Sequence, residues 1–433
     1  MSLSKRDQKH LWHPLTQHKT SGEMLAMVKG KGAYLWDEKG NKYIDAISSW
    51  YTTVYGHCNE DITRSVAEQM QSLDQVVFSG FTHAPAVELS EALIGILPYN
   101  QEKLFFSDNG STSVEIAIKM ALQYHFNQGK KRTVLVAFEE GFHGDTFGAM
   151  SVSDLSIYNG PFEEFFLEVK RISVPTGENN QAVLQQLENL IKSEAIAGFI
   201  YEPLVQGAAA MKMHDADGLC QLIRLCQEHD VITIADEVMT GFGKTGTHFA
   251  SDHMLNKPDI MCLSKALTAG LLPMAITSCA QKIYDAFYDD ELRKGFFHGH
   301  TYTANPLACR AALAGIKLLT SDPIKTGIKH IIASHQEFDQ EIRQHPMVKQ
   351  TRHCGVIYAI DLNINMSRYG DLRNQLFQFF MDRGIFLRPL GNTIYILPPY
   401  IISNDQLTII YQAIKECLNH PILNQRDQPH SLL

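Results

Sequence analysis

The chain has 433 residues, 45% hydrophobic and 20% charged, which at about 150 residues per domain predicts two or three folded units with a sizeable core. A net charge of −9 lacks the basic footprint of a nucleic-acid binder. No apolar stretch approaches the roughly 18 to 20 residues that span a bilayer, and the opening residues lack the apolar core of a signal peptide, so the expected compartment is the cytoplasm. The eight cysteines, at 58, 220, 226, 262, 279, 309, 354 and 417, show no Cys-x-x-Cys pair and no zinc-ligand spacing, and read as reduced, mostly buried thiols.

Taken in chain order, residues 32–37 and 42–45 flank the turn signal Glu38-Lys39-Gly40-Asn41 and predict a hairpin after a lead segment. From about 60 to 320, helical periods alternate with short apolar runs at 103–106, 133–137, 196–201, 231–235 and 259–263. This alternation predicts an α/β fold with a largely parallel sheet covered by helices on both faces. After Pro323 the pattern changes to a long amphipathic helix, two or three strands (355–362, 385–388, 393–397) and a closing helix from about Asp405. The last part reads as a second α+β unit, and the polar tail 424–433 as frayed.

In such a sheet, ligands gather beyond the carboxyl ends of the strands. The run 231–235 ends in Asp236-Glu237 and the run 259–263 in Ser264-Lys265, while 103–106 leads through Ser107-Asp108-Asn109-Gly110-Ser111 into a helical stretch at 114–124. Backbone amides at a helix start, preceded by Gly and hydroxyls, make an anion site. Singly these are a turn former, a surface amine and a turn. Together they suit pyridoxal phosphate: Lys265 for a Schiff base with the aldehyde, Asp236 for the pyridinium nitrogen, and Gly110-Ser111 for the phosphate.

The segments Ser107-Asp108-Asn109-Gly110-Ser111, Gly141-Phe142-His143-Gly144-Asp145, Tyr201-Glu202-Pro203, Asp236-Glu237-Val238-Met239-Thr240-Gly241-Phe242-Gly243-Lys244-Thr245-Gly246 and Leu263-Ser264-Lys265-Ala266 carry a resemblance. In them the chain resembles the class III aminotransferases of the fold-type-I pyridoxal-phosphate superfamily, from about residue 12 to 402. Further marks are similar to the biotin-pathway branch of that family: Leu11-Trp12-His13-Pro14, Ser48-Ser49-Trp50-Tyr51, His143-Gly144-Asp145, Arg388-Pro389, and Tyr395 followed by Pro398-Pro399-Tyr400. The resemblance implies a large cofactor-binding domain at 56–324 and a small domain made of 1–55 with 325–433. It implies that Phe142 and Val238 flank the cofactor ring, and that His300 and Thr301 reach its phosphate from the neighbouring subunit of a homodimer. Trp50, Phe142, Gly299 and Lys265 would line the substrate pocket, with Arg388 taking the substrate carboxylate as a planar fork. The implied acceptor is 8-amino-7-oxononanoate; the implied donor is S-adenosylmethionine, with lysine as the alternative.

Four positions depart from that pattern. Leu15 and Phe142 stand where tyrosines are usual, Lys244 where arginine is usual, and His300 where proline is common. They leave the cofactor chemistry alone and bear on the donor. His298 and His300, two apart on an extended segment, point to opposite sides without a third ligand nearby, so no metal site is expected. Gly243-Lys244-Thr245 suggests a nucleotide loop, but such a loop needs glycine five residues before Gly243, and Val238 stands there.

Overall fold

A computed structural model describes residues 1–154, 159–368 and 370–424. The tail expected to fray lies, past Asn424, outside the described residues. A seven-stranded sheet forms the centre, in the order Gln101–Ser107, Ala275–Ala280, Ile260–Leu263, Ile232–Asp236, Ile196–Tyr201, Val134–Phe138 and Val169–Ile172. All strands run parallel except Ala275–Ala280, which is antiparallel to both neighbours. The apolar runs are continuous because both faces of the sheet are covered. Side chains alternate across a strand, so Leu135 and Ala137 pack with the helix Gly110–Asn127 in one core, whereas Val134, Val136 and Phe138 join the core on the opposite face. There Leu219, Leu222, Ile223 and Cys226 present the buried stripe of the helix Ala216–Glu228.

The strand Ala275–Ala280 is absent from the sequence reading. Its centre is polar, and burial satisfies that polarity locally: Thr277 Oγ1 donates to Ser113 O at 2.9 Å and Ser278 Oγ to Gln101 Oε1 at 2.7 Å.

The expected hairpin is present, with Tyr34–Asp37 antiparallel to Lys42–Asp45. Its turn is closed by Asp37 Oδ1, which accepts from the amides of Lys39 and Asn41, and by Gly40 at φ +86°. A preceding strand, Met27–Lys31, completes the meander. Towards the other end of the chain, the helix Asp322–Ile342 leads to an antiparallel sheet of Val348–Cys354, Ile357–Leu362 and Thr393–Ile396, and the helix Asn404–Leu418 closes the fold. One expectation is corrected here. Residues 385–388 do not form a strand with their sequence neighbours: only Ile385–Phe386 is a strand, and it pairs in parallel with Lys42–Asp45. Leu387 and Arg388 are left beyond it. Among the described residues, no helix is long and apolar enough to cross a membrane.

Candidate active site

The carboxyl ends of the parallel strands open on one edge, and three of them deliver polar groups there. Beyond Ser107, Asn109 caps the helix Gly110–Asn127 in a reciprocal box with Thr112. This leaves Gly110 and Ser111 in the first turn, where backbone amides have no partner within the helix. Ser111 Oγ accepts from Asp145 N at 3.2 Å. Gly144, at φ +131°, packs so closely that a Cβ there would lie 2.0 Å from Ser111 Oγ. A Cβ on Gly110 would likewise lie 2.8 Å from Val238 Cγ1.

Further into the sheet, the strand Ile232–Asp236 ends in Asp236, a buried carboxylate with both oxygens engaged. Oδ1 accepts from Val238 N at 3.0 Å, and Oδ2 lies 2.7 Å from His143 Nδ1. His143 Nε2 is buried with no hydrogen-bond partner among the described residues. Just past the next strand stands Lys265, itself at φ +51°, an uncommon conformation for such a side chain. Its Nζ makes no hydrogen bond with the described residues and lies 5.1 Å from the centre of the Tyr51 ring. Burial holds this amine below the usual lysine range, against the pull of Asp236 and Glu202.

Tyr51 links the two ends of the chain at the site. Its hydroxyl donates to Tyr395 Oη at 3.1 Å, and burial raises its phenol well above the ordinary value, while Arg388 pulls it back. Arg388 holds its guanidinium carbon 5.4 Å from the Trp50 ring centre. Glu202 is buried behind Phe142: Oε1 accepts from Phe142 N at 3.0 Å and Oε2 from Gly207 N at 2.8 Å. Burial pushes its carboxyl up to about 7 despite His143 and these two amides.

The structure thus gathers Gly110, Ser111, Val238, Asp236 and Lys265 at one edge of the sheet and brings Trp50 and Arg388 together beside Tyr51. Gly299, His300 and Thr301 lie on a loop apart from them; Thr301 O accepts from Gln75 Nε2 at 2.7 Å, and His300 Nε2 is buried without a partner among the described residues. Lys244 turns its amine inward onto Gly241 O at 2.8 Å and is fully buried, so this segment offers no phosphate loop. Sequence reading assigned no role to His143, Glu202, Tyr51 or Tyr395. Glu202 had a usable signal, since it directly follows the strand Ile196–Tyr201; the others meet their partners only in three dimensions.

An unbonded, half-buried amine, a fixed carboxylate and two glycines that keep Cβ atoms away from an anion-ready helix start fit pyridoxal phosphate in aldehyde, ring nitrogen and phosphate alike. The fold and these groups define a pyridoxal-phosphate-dependent transferase. The sequence profile described as aminotransferase class-III matches residues 16–418, and the chain belongs to the class III aminotransferase family. Similar relatives include the adenosylmethionine-8-amino-7-oxononanoate aminotransferase of Synechococcus elongatus, 42% identical with 95% of this chain and 98% of that one covered. The Staphylococcus aureus protein of the same name is 34% identical, with 98% of each covered. Among solved structures, the Methanocaldococcus jannaschii enzyme of that name matches with a TM-score of 0.90 at 33% identity, over 96% of this chain and 98% of that one. A PLP-bound amine transaminase from an uncultivated Pseudomonas species matches with a TM-score of 0.89 at 27% identity, over 94% and 98%.

Proposed function

We propose that this protein transfers an amino group to the ketone of 8-amino-7-oxononanoate, giving 7,8-diaminononanoate for biotin synthesis, with S-adenosylmethionine as the donor. The observation that carries the reading is the approach of Arg388 to Trp50 beside Tyr51, whose other neighbour is the Lys265 amine. A carboxylate clamp set apart from the reacting amine suits an acceptor whose acid group is remote from its ketone. The names of relatives similar over nearly the whole chain support the same choice.

When bound, pyridoxal phosphate supplies an aldehyde that takes up the donor nitrogen and a ring that draws electrons from the donor carbon. Lys265 moves the proton: with its amine held low by burial, Nζ can accept a proton from the donor carbon and later return it. Asp236, fixed by His143 and Val238 N, provides the counter-charge for a protonated ring nitrogen. Gly110 and Ser111 hold the phosphate by their amides, while Phe142 and Val238 flank the ring and exclude water. Arg388 clamps the carboxylate bidentately, and Trp50 lines its approach together with Gly299 of the partner subunit. His300 and Thr301 of the partner subunit complete the phosphate site, in a cytoplasmic homodimer whose small domain, 1–55 with 325–433, closes over 56–324.

The experiment is single-turnover absorbance of the cofactor-loaded enzyme. S-Adenosylmethionine is expected to bleach the yellow cofactor band, and 8-amino-7-oxononanoate to restore it. Bleaching by lysine alone would replace the donor. Restoration by pyruvate or 2-oxoglutarate, and not by the amino-keto acid, would overturn the acceptor in favour of a general ω-aminotransferase.

A further inference from the structure

The turn that carries Trp50 is built in a conformation that L-residues avoid. Ser48, Ser49, Trp50 and Tyr51 have φ values of +48°, +44°, +67° and +72°, four consecutive residues in the left-handed region and none of them glycine. Each costs free energy relative to a right-handed turn, and such a run persists only where its surroundings over-determine it.

One buried carboxylate supplies that constraint. Asp45, the last residue of the strand Lys42–Asp45, is wholly shielded from solvent. Its Oδ1 accepts from Ser49 N at 3.0 Å and from Ile47 N at 3.3 Å; its Oδ2 accepts from Ser49 Oγ at 2.7 Å and from His57 Nε2 at 2.8 Å. A buried carboxylate with four donors is fully satisfied. His57 is itself anchored, since its backbone exchanges hydrogen bonds with Gly32 at 2.8 and 3.1 Å. Its ring finds room because residue 30 is glycine: a Cβ there would lie 2.9 Å from His57 Cβ. The first residue of the turn has a separate hold, Ser48 Oγ donating to Leu397 O at 2.8 Å.

At its tip the turn presents Trp50, 48% exposed, to Arg388, and Tyr51 to Lys265 and Tyr395. We propose that Asp45, Ser49 and His57 are positioning residues that hold this left-handed turn and thereby set where Trp50 and Arg388 receive the carboxylate arm of a long-chain keto acid. The proposal rests on the reading of Trp50 and Arg388 as the substrate wall. None of the three residues meets the reacting atoms. Their effect passes through the turn, so it falls chiefly on substrate binding at Trp50 and Arg388.

The test compares Ser49→Ala, His57→Ala, His57→Gln and Trp50→Ala in the cofactor-loaded enzyme. Ser49→Ala and His57→Ala are expected to raise KM for the keto acid about tenfold with kcat changed less than about threefold, the signature of a misplaced binding contact. His57→Gln, which keeps a nitrogen donor for Asp45, is expected to recover most of the loss. A readout without turnover comes from a Trp12→Phe/Trp36→Phe background, where Trp50 is the remaining tryptophan; its near-ultraviolet circular dichroism should collapse on adding His57→Ala. If Trp50→Ala raises KM but the Ser49 and His57 variants leave both KM and the dichroism unchanged, the proposal is overturned and the pocket stands. An unchanged KM in Trp50→Ala overturns the pocket and the proposal with it.

Discussion

Glu202 is a buried carboxyl group, set between two backbone amides and close to both His143 and Asp236. Its ordinary value is 4.5, and in the fold it rises to about 7. Between those values the folded chain binds a proton that the unfolded chain has released. The stabilisation from this residue is therefore fully present below about 4.5 and lost as pH rises through about 7. In the cofactor-free protein, urea unfolding is expected to show stability falling across this window, and Glu202→Gln, which cannot ionise, to flatten the slope. Equal slopes in the two proteins would mean that Glu202 titrates normally.

At the scale of elements, the start of the helix Gly110–Asn127 and the loop 141–145 form one surface, because Gly144 lets Ser111 approach Asp145 N. Gly144→Ala adds a methyl group where Ser111 Oγ already sits, at a φ that side chains rarely adopt. The helix itself keeps its Asn109 cap. The expected result is cofactor affinity weakened by roughly tenfold or more, about 1.4 kcal/mol or above, with helix content by circular dichroism unchanged; wild-type affinity in an absorbance titration would show that the loop yields. The same elements explain what a reader of the sequence can find. Asp236 and Lys265 are legible because each stands at or just past a buried apolar run, where parallel sheets collect their chemistry. The partner of Asp236, His143, lies 93 residues away, and Tyr51 meets Tyr395 across 344. No local pattern encodes such distances. The strand Ala275–Ala280 was hidden for a different reason: its buried Thr277 and Ser278 look like loop residues until their hydrogen bonds are known.

Across the whole molecule, Arg352 ties the C-terminal sheet to the loop behind the site. Its Nε donates to Met211 O at 2.8 Å, one terminal nitrogen donates to Ala210 O, and the fork pairs with Asp361 at 2.8 and 3.0 Å. Ala210 and Met211 both have positive φ, so the loop they belong to, which also supplies Gly207 N to Glu202, depends on this tether. Arg352→Ala removes three partners at once and leaves Asp361 without a cation at a mostly buried position, with Gln350 Nε2 and Thr393 Oγ1 as its remaining donors. Unfolding free energy is expected to fall by about 2 to 4 kcal/mol, read as a lower urea midpoint; an unchanged midpoint would show that the tether carries no stability.

The parallel pairing of Ile385–Phe386 with Lys42–Asp45 also sets the order of events on the ribosome. The meander that holds Asp45 emerges long before the strand that pairs beside it is made. At about 5 to 20 residues per second, that edge waits on the order of tens of seconds with its hydrogen-bonding groups unpaired, a period in which it can join another nascent chain. The pairing thus forms only after residue 386 is made, and a chain cut short before residue 385 retains Lys265 and Asp236 but lacks both Arg388 and the strand that pairs beside Asp45.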